Sequence, residues 1–499
     1  MAPASVDETE PLLGLGATAE FCREGPGPGA HSHRLDDIVD FDPEGDPENP
    51  REWTVAFKWG ITLLLTFLAF TVTFNCISVV PIANLIVSDL SGGQASKYAS
   101  VLLVTIWELG EAAGPLIIAP LSETLGRWPV MNVANTLFVL TTVLAAVSQT
   151  VPTLILARAL SGLVVTSNVL NPAVVGDIFD PERRGSPMSL IMLAPLVGGA
   201  VGPAIGGAIA ETLSWRWVLW MAAILAGTGE LIFLVCFRET YKVPILRRRT
   251  RRLQRDMSHR APVPSEKNGG KGELVTSIVR PFIVFGSSGV LMALSLFGSV
   301  VFAHFYNVST TLPDILQERY GLSPTLTGTA LICMGVGSSA SVALCNVALD
   351  RVYARMQASR GGIGQPEFRL PIIIVGAFTL PPAVALYGWA AQLRLPLPVM
   401  LLSVSMVGAT LMLAFLPLSA YVVDAFGLYA ASAMTGLIVA RCLMGTFLPL
   451  LTTPLVDNFG YGWGFTVLAF LSLALAPIPV IVLRYGEEWR QCSKYTRAD

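Results

Sequence analysis

The chain has 499 residues, of which 53% are hydrophobic and 14% are charged, and its mean hydropathy is +0.60. A soluble domain carries roughly 25% charged residues, so the composition excludes a protein that is water-soluble over most of its length. The net charge of -2 gives no indication of nucleic-acid binding. The apolar stretches after Trp53 are long enough for roughly twelve spanning helices of about 20 residues each.

Sequence features of catalysis are missing. The cysteines, such as Cys76 and Cys345, show neither metal-ligand spacing nor a disulfide pattern, and we interpret them as small buried hydrophobic residues. No phosphate loop, nucleophile motif or ATP-binding motif occurs in the sequence. We therefore predict that the protein is neither an enzyme nor a primary pump, and that it uses no metal and no cofactor.

The first 52 residues differ from the rest. Residues 1–52 are polar, acidic and rich in glycine and proline, so we expect a disordered cytosolic tail and no signal peptide. Glu8 to Leu13 reads ETEPLL, which resembles an acidic dileucine sorting signal. We expect a multi-pass protein of the plasma membrane, with a vacuolar or endosomal membrane as the alternative if that signal acts.

Twelve apolar segments follow, and we number them 1 to 12 in chain order. We predict a six-helix half at 53–237, a basic cytosolic linker at 238–280, a second six-helix half at 281–486 and a cytosolic tail at 487–499. The predicted segments span about 57–80, 98–121, 129–148, 152–178, 187–211, 216–237, 283–312, 324–349, 370–391, 397–423, 428–456 and 461–484.

Lysine and arginine concentrate in the loops on one side of these segments, above all in the linker. The positive-inside rule then predicts that both termini are cytosolic. We refer to the opposite ends of the segments as the predicted outer end. The halves also repeat: Asp177 closes segment 4 and Asp424 closes segment 10, and a proline follows each at similar spacing, Pro203 or Pro449. A parallel repeat predicts a binding site between the halves, near the membrane midplane.

Four charged side chains inside the segments are candidates for coupling. Arg158 lies in segment 4 and Arg441 in segment 11, and each has a coupling or gating role as one interpretation and an interfacial anchor as the other. Glu108 and Glu111 share one face of segment 2. Burial and a neighbouring like charge favour the protonated form of a carboxylate, so this pair could carry a proton, unless both are structural acids.

Two further patterns indicate conformational change. Gly198, Gly202 and Gly206, with Gly207 beside them, form a stripe in segment 5 into which Pro203 is set. Small residues let helices approach closely in lipid, and the proline permits a kink, so a sliding contact between the halves is one interpretation and ordinary packing the other.

The second pattern is the turn between segments 2 and 3. Gly126 allows a sharp turn, and Glu123 and Arg127 place opposite charges at the cytosolic membrane edge. We expect these charges to pair with Asp177 or the Arg183–Arg184 hairpin in one conformation and to separate in another.

Several stretches together resemble the major facilitator superfamily, and more closely its fungal twelve-helix drug:proton antiporters. PLSETLGR at 120–127 looks like the loop motif of the family, LARALSG at 156–162 like the segment-4 arginine motif, and GGAVGPAIGG at 198–207 like the antiporter motif. The resemblance covers about residues 50 to 486. It implies an all-α membrane protein with twelve transmembrane helices in two pseudo-symmetric halves, proton-driven export by alternating access, and a coupling role for Arg158.

The sequence departs from the family pattern at two places. Ala119, Glu123 and Trp128 replace usual residues of the loop motif, which implies a thinner charge network. Thr310 stands where many relatives carry a glutamate in segment 7, which disfavours a polycation and favours a neutral or weakly charged amphiphile. The candidate substrate-binding residues are Asn75, Asn168, Asn171, His304, Tyr306 and Asn307.

We therefore predict a monomeric proton-coupled antiporter that exports a small amphiphilic compound such as a drug, toxin or fungal secondary metabolite. Its expected partners are that small molecule, protons and the lipid bilayer. Glu108 or Glu111 would carry the proton, with Arg158 as the electrostatic partner. A nutrient importer of the same fold and a receptor that does not transport remain as alternatives.

Overall fold

The computed structural model describes residues 41, 46–93, 96–180, 183–257, 270–359, 364–491 and 493, with side chains outside 251–257, 270–277 and 428. The dileucine pattern and most of the predicted N-terminal tail lie outside the described residues, as does most of the C-terminal tail.

The described residues form α-helices joined by short turns. Segments 1 to 6 comprise α1 (Val55–Ile77), α2 (Ala83–Leu90), α3 (Lys97–Leu125), α4 (Arg127–Ala146), α5 (Val151–Leu163), α6 (Ser167–Ile178), α7 (Gly185–Thr212) and α8 (Trp215–Cys236). The later helices are α9 (Lys242–Met257), α10 (Gly270–Ser287), α11 (Gly289–Asp314), α12 (Pro324–Ala330), α13 (Ile332–Ser359), α14 (Leu370–Gln392), α15 (Leu397–Phe426), α16 (Ala430–Leu475) and α17 (Pro477–Gln491).

Within the described ranges, eleven helical stretches are long and apolar enough to cross a membrane. The last of them runs over 62 residues and contains two predicted segments. Gly460 divides it, because its φ of 77° and ψ of 170° are not helical. Gly464 then lies against Leu455 and Val456, so the chain folds back on itself at Gly460. Segments 11 and 12 are therefore two passes joined by a tight reversal.

Several predicted segments are interrupted helices. Single-residue breaks occur at Ser288 in segment 7 and at Leu331 in segment 8, and longer ones occur at segments 1 and 4. Segment 1 is α1 followed by a 3-10 turn at Val80–Ile82 and then α2. Segment 4 is divided into α5 and α6 between Leu163 and Ser167.

The predicted end of segment 1, at about residue 80, lies inside the first break, whereas the structure extends the segment through α2 to Leu90. Hydropathy could not show the break in segment 4, because Val164, Val165 and Thr166 are as apolar or as small as the residues around them. Each break leaves helix-end backbone groups that need other partners.

The predicted linker contains regular structure. Lys242–Met257 forms the basic helix α9, and α10 begins before the predicted start of segment 7 and ends one residue before α11. Arg249 of α9 pairs with buried Asp46 of the segment before α1. The linker thus begins as a helix that contacts the N-terminal segment, a contact that composition alone did not indicate.

The glycine stripe of α7 packs against α1. A Cβ added at Gly198 would lie 3.1 Å from the carbonyl oxygen of Phe70, and one at Gly206 would overlap the carbonyl group of Ser78. Both neighbours belong to segment 1, within the same predicted half. The stripe therefore provides close helix packing inside the first six segments, and the contact with the later segments is made by other residues.

The contact between α7 and the later segments includes Gly207, the residue after Gly206. A Cβ at Gly207 would overlap the carbonyl of Pro324, and one at Gly328 would overlap the carbonyl of Pro203. Both contacts join α7 to α12, so the backbones of segments 5 and 8 touch at the predicted outer end. Gly207 and Pro203 are thus among the motif residues that lie between the predicted halves, as is Ala200, which faces Gly335 of α13. Gly328, which sequence reasoning missed, is the counterpart of Pro203 on α12.

Replacing Gly206 with alanine is expected to destabilise the protein by about 1–3 kcal/mol, because the added methyl group forces α7 away from Ser78. The midpoint of thermal unfolding in detergent should fall. Gly199→Ala is the matched control, since its Cβ would lie 3.7 Å from the nearest atom, in Ile77. Equal midpoints for the two variants would contradict the close packing.

Candidate substrate and proton site

Two buried carboxylates lie at the centre of the protein. Glu108 and Glu111 are 2% and 6% exposed, although they sit on a helix long enough to cross the membrane. The Tyr306 hydroxyl donates a hydrogen bond of 2.7 Å to Oε1 of Glu108. The Asn168 amide donates one of 2.7 Å to Oε1 of Glu111, and Nη2 of Arg441 lies 3.0 Å from the same oxygen. We refer to these five residues as the central cluster.

Backbone contact between α3 and α5 positions the cluster. A Cβ at Gly110 would overlap the carbonyl of Ala159, and one at Gly162 would overlap the carbonyl of Trp107. The two glycines let segments 2 and 4 touch directly. Asn168 then lies in the first turn of α6, just after the break in segment 4, and reaches Glu111. The break and the glycine contact together bring segment 4 to the carboxylates.

The cation that faces Glu111 is Arg441 of segment 11. The two form an ion pair whose side chains are 16% and 8% exposed. The guanidinium also lies 4.4 Å from the centre of the Phe302 ring and 3.7 Å from the sulfur of Cys442. The pair joins α3 to α16, and the Glu108–Tyr306 hydrogen bond joins α3 to α11. The central cluster therefore links the first six segments to the later ones.

Arg158, the expected electrostatic partner, has a different environment. It is 1% exposed, and its Nη1 and Nη2 donate to the carbonyls of Asn75 and Cys76 at 2.7 and 2.6 Å. These carbonyls belong to the last turn of α1, which lacks helical partners at the break. The guanidinium stacks 4.8 Å from the ring of Trp107. The pairing predicted from sequence is thus corrected: Arg441 is the ion-pair partner of Glu111, and Arg158 caps α1.

Arg158 still reaches the carboxylates indirectly. The Trp107 indole lies between Arg158 and Glu111: one face contacts the guanidinium, and its Nε1 donates a hydrogen bond of 3.3 Å to Oε2 of Glu111. A change at Arg158 would therefore act on Glu111 through the position of this ring. Sequence reasoning missed Trp107, although it directly precedes Glu108 in the motif WELGEAAGP.

The other four candidate substrate-binding residues form hydrogen bonds between helices. All are at most 2% exposed. Asn75 donates to Thr142, Asn171 to the Leu65 carbonyl, His304 shares a hydrogen bond with Ser472, and Asn307 accepts from Thr452. Of the six candidates, the structure places Asn168 and Tyr306 in contact with the carboxylates, and Asn168 is solvent-exposed as well.

The cluster already contains its own cation. Among the described residues, one oxygen each of Glu108 and Glu111 and the sulfur of Cys442 lie within 4.8 Å of one another, as the ligands of a metal site could. The guanidinium of Arg441 contacts both Glu111 and Cys442, however, and supplies the positive charge that a metal would bring. These residues fit a metal ion poorly, and we derive no chemistry through one.

A second charged group lies at the predicted cytosolic edge. Nε of Arg127 is 3.3 Å from Oδ2 of Asp177, as the sequence suggested. Gly126 has a φ of 104° and forms the sharp turn. Glu239, which sequence reasoning missed, accepts from the backbone N–H groups of Arg127 and Trp128 at 2.9 and 3.2 Å. It thereby caps the N-terminus of α4 from the chain just after segment 6.

Tyr241, two residues after Glu239, also contacts this charged group. The guanidinium of Arg127 lies 4.8 Å from the ring of Tyr241. Burial raises the pKa of the Tyr241 hydroxyl, and the negative charge of exposed Glu123 raises it further. Glu123 therefore acts on this group through its charge and not as a hydrogen-bond partner.

The second predicted half carries a similar arrangement. Arg369, just before α14, pairs with Asp424 near the end of α15. Glu367 accepts from Nε and Nη2 of Arg490 at 2.8 and 3.0 Å, which ties α17 to the start of segment 9. The aspartates that the repeat singled out thus pair with arginines in equivalent positions, at the starts of segments 3 and 9.

Glu239→Ala is expected to destabilise the protein by about 0.5–2 kcal/mol, since the first N–H groups of α4 lose their acceptor. The test is the midpoint of thermal unfolding in detergent. Glu123→Ala removes an exposed carboxylate from the same surface and serves as the control, with a shift of at most about 0.5 kcal/mol. A Glu239 variant as stable as this control would contradict the capping role.

Residues 62–449 match the profile of the Major Facilitator Superfamily. The chain belongs to the major facilitator superfamily. The efflux pump radE of Floropilus chiversii is 32% identical over 463 residues, which cover 92% of this chain and 86% of that protein. The MFS-type transporter penM of Penicillium rubens is 33% identical over 462 residues, with 92% and 90% covered.

Solved structures show the same fold. A D-xylose-proton symporter superposes with a TM-score of 0.65 at 16% identity, covering 84% of this chain and 97% of that one. A peptide transporter POT gives 0.60 at 15% identity, covering 87% and 95%. The predicted major facilitator fold and the resemblance to fungal efflux transporters are therefore confirmed. The protein is a multi-pass membrane transporter of this superfamily, whose members carry small molecules.

Proposed function

We propose that this protein is a proton-coupled antiporter that exports a small amphiphilic organic compound. The observation that carries the proposal is the central cluster. Two buried carboxylates of segment 2 bind partners from segments 7 and 11, so a change in their charge acts where the two predicted halves meet. The names of the fungal relatives, among them an efflux pump, support export over import.

The ion pair provides the coupling step. When Glu111 is ionised, its charge balances that of Arg441; when it binds a proton, Arg441 loses this partner. Removing one partner of a buried pair typically costs about 3–5 kcal/mol, so protonation strongly favours a rearrangement of segments 2 and 11. Proton binding from one side and substrate binding from the other would then stabilise different arrangements of the halves.

Aromatic and polar groups around the cluster fit an amphiphile. Phe302, Phe305 and Tyr306 form a group with ring-centre separations of 5.2 to 6.1 Å, beside the guanidinium of Arg441. Asn168 offers an exposed amide. Thr310 and its neighbours on α11 add hydroxyl groups without charge. This combination supports a neutral or weakly charged substrate with an apolar body and a few hydrogen-bonding groups.

We further propose that the protein acts as a monomer in the plasma membrane, with the vacuolar membrane as the alternative. The six-helix halves would move around the central cluster while the arginine–aspartate pairs at the starts of segments 3 and 9 keep each half rigid. Each pair lies within a single half, so it need not break when the halves rotate. The separation of Arg127 from Asp177 in another conformation stays a prediction.

The test is transport by purified protein in liposomes under an imposed proton gradient, with a panel of hydrophobic drugs and fungal metabolites. The expected result is compound flux opposite to proton flux, with alkalinisation or acidification of the lumen according to the gradient. Flux of both in the same direction would establish an importer. Compound binding without flux, at any gradient, would favour a receptor over a transporter.

A further inference from the structure

A small polar recess lies between the two sets of helices at the predicted outer end. Its polar lining residues are Asn84, Lys97, Ser100, Thr310, Asp314 and Gln317. They come from segments 1, 2 and 7, so the recess lies at the interface between the predicted halves. The amide of Asn84 donates to the carboxylate of Asp314, and the amide of Gln317 donates to the carbonyl of Pro81 at 2.8 Å. These hydrogen bonds hold the outer ends of segments 1 and 7 together.

Two of the helices that line the recess also carry residues of the central cluster. Its lining includes Val104, which is one turn before Glu108 on α3, and Thr310, which is one turn after Tyr306 on α11. One helical turn advances about 5.4 Å. The Thr310 hydroxyl donates to the carbonyl of Tyr306 at 2.8 Å, and the Tyr306 hydroxyl donates to Glu108. Both walls of the recess therefore lead to the Glu108–Tyr306 hydrogen bond.

Glu108 has an oxygen available at the inner end of this route. Its Oε1 accepts from Tyr306, while its buried Oε2 has no hydrogen-bond partner among the described residues. A buried oxygen of this kind can accept a proton without first breaking another hydrogen bond.

Charged and titratable groups from several elements surround Asp314. The charged and titratable side chains near it are Lys97, Glu318, Tyr387, Asp457 and Tyr461. Lys97 is already paired with Asp457 at 2.8 Å. The guanidinium of Arg319 also belongs to this group, since it lies 4.7 Å from the ring of Tyr461, on which the same three carboxylates act. Three carboxylates thus face two cations, and the remaining negative charge attracts protons. Asp314 differs from the exposed Asp457 because it lines the recess.

We propose that Asp314 is the outer proton-exchange residue of the transport cycle, and that the recess is the route between Asp314 and Glu108. This inference rests on the proposed proton coupling. A proton from the outer solution binds the Asp314 carboxylate, which becomes neutral and accepts more weakly from Asn84. The proton then passes along the recess to the Glu108 carboxylate, and Asp314 returns to its ionised form. Proton binding at Asp314 and loosening of the outer contact are therefore one event, and the contact re-forms when the proton has moved to Glu108.

The ligand in the test is the proton itself. Infrared difference spectra would be recorded for the protein in liposomes of one insertion orientation while only the outer solution is acidified. The wild type should gain carboxylic-acid signal. Asp314→Asn should lose part of that gain. Asp89→Asn, which removes an exposed carboxylate that does not line the recess, should keep all of it. Equal gains for the wild type and Asp314→Asn would overturn the proposal.

A transport measurement completes the test, with the compound of the drug and metabolite panel that the wild type exports. Asp314→Asn should reduce proton-driven flux by about tenfold, within the range of typical coupling free energies, and leave exchange of labelled for unlabelled compound within about twofold. Asp314→Glu should restore proton-driven flux. Loss of both activities in Asp314→Asn, without rescue by glutamate, would make the residue structural and overturn the proposal.

The two hypotheses fail differently. A wild type that transports the compound without any dependence on the proton gradient would refute the proposed antiport and this inference with it. A wild type that is proton-driven, together with a normal Asp314→Asn variant, would refute this inference alone.

Discussion

Glu111→Gln is expected to reduce proton-driven transport by about tenfold or more, within the range of typical coupling free energies, and to flatten the dependence of the rate on pH. Glutamine keeps one carbonyl oxygen that can accept from Asn168 and Arg441, whereas its NH2 group replaces the oxygen that accepts from the Trp107 indole. It cannot bind or release a proton, and it leaves Arg441 without a negative partner. Exchange of labelled for unlabelled compound, which moves no net proton, should continue.

The measurement is the rate of transport in liposomes over a series of outer pH values, for proton-driven flux and for exchange. Glu230→Gln is the matched control. Glu230 is also a buried carboxylate of a spanning helix, but it bonds to Thr136 and not to the cluster. Its variant should keep the pH profile of the wild type. A Glu111→Gln protein with an unchanged profile would count against the proposed proton site.

Arg158→Ala is expected to abolish transport while the protein still reaches the membrane at normal levels. The variant leaves the carbonyls of Asn75 and Cys76 without their donors, and each unsatisfied buried acceptor costs about 1–3 kcal/mol. It also removes the cation that stacks on Trp107, whose indole N–H binds Glu111. The end of α1 and the position of Glu111 should both shift.

Transport and surface expression would be measured together for this variant. Arg158→Lys should recover only part of the activity, because an ammonium group cannot reproduce the planar pair of donors. Arg216→Ala is the control: Arg216 pairs with Asp89 through side chains that are 39% and 53% exposed, and such pairs contribute about 0–1 kcal/mol. Full activity in Arg158→Ala would eliminate the residue from the transport cycle.

Both predictions depend on which arginine forms an ion pair with Glu111. Sequence reasoning assigned this role to Arg158, whereas the structure gives it to Arg441. Arg158 and Arg441 are both single positive charges in apolar segments, so their sequence contexts are alike. Their partners depend on how each helix is rotated and on where segment 1 breaks. The break after Ile77 exposes carbonyls that Arg158 satisfies, and Arg441 is then the guanidinium that faces Glu111.

The glycine motif shows the same limit. Its spacing correctly indicated close helix contact, because a stripe of glycines has no other common use in a spanning helix. The sequence did not say which helix would meet it. In the folded protein Gly198 and Gly206 of α7 pack against α1, whereas Gly207 packs against α12, although Gly206 and Gly207 are adjacent in the chain. Neighbouring residues on a helix face different directions, so they serve different contacts.

The sequence by itself determined that the chain is a multi-pass membrane protein, that its segments repeat, and that it resembles the major facilitator superfamily. These properties follow from hydropathy, spacing and short motifs, which are local. The tertiary structure alone decided the Arg441–Glu111 pair, the cap that Glu239 places on α4 and the recess beside Asp314. Each joins residues that are far apart in the chain, and helix rotation and the breaks in segments 1 and 4 determine whether such residues meet.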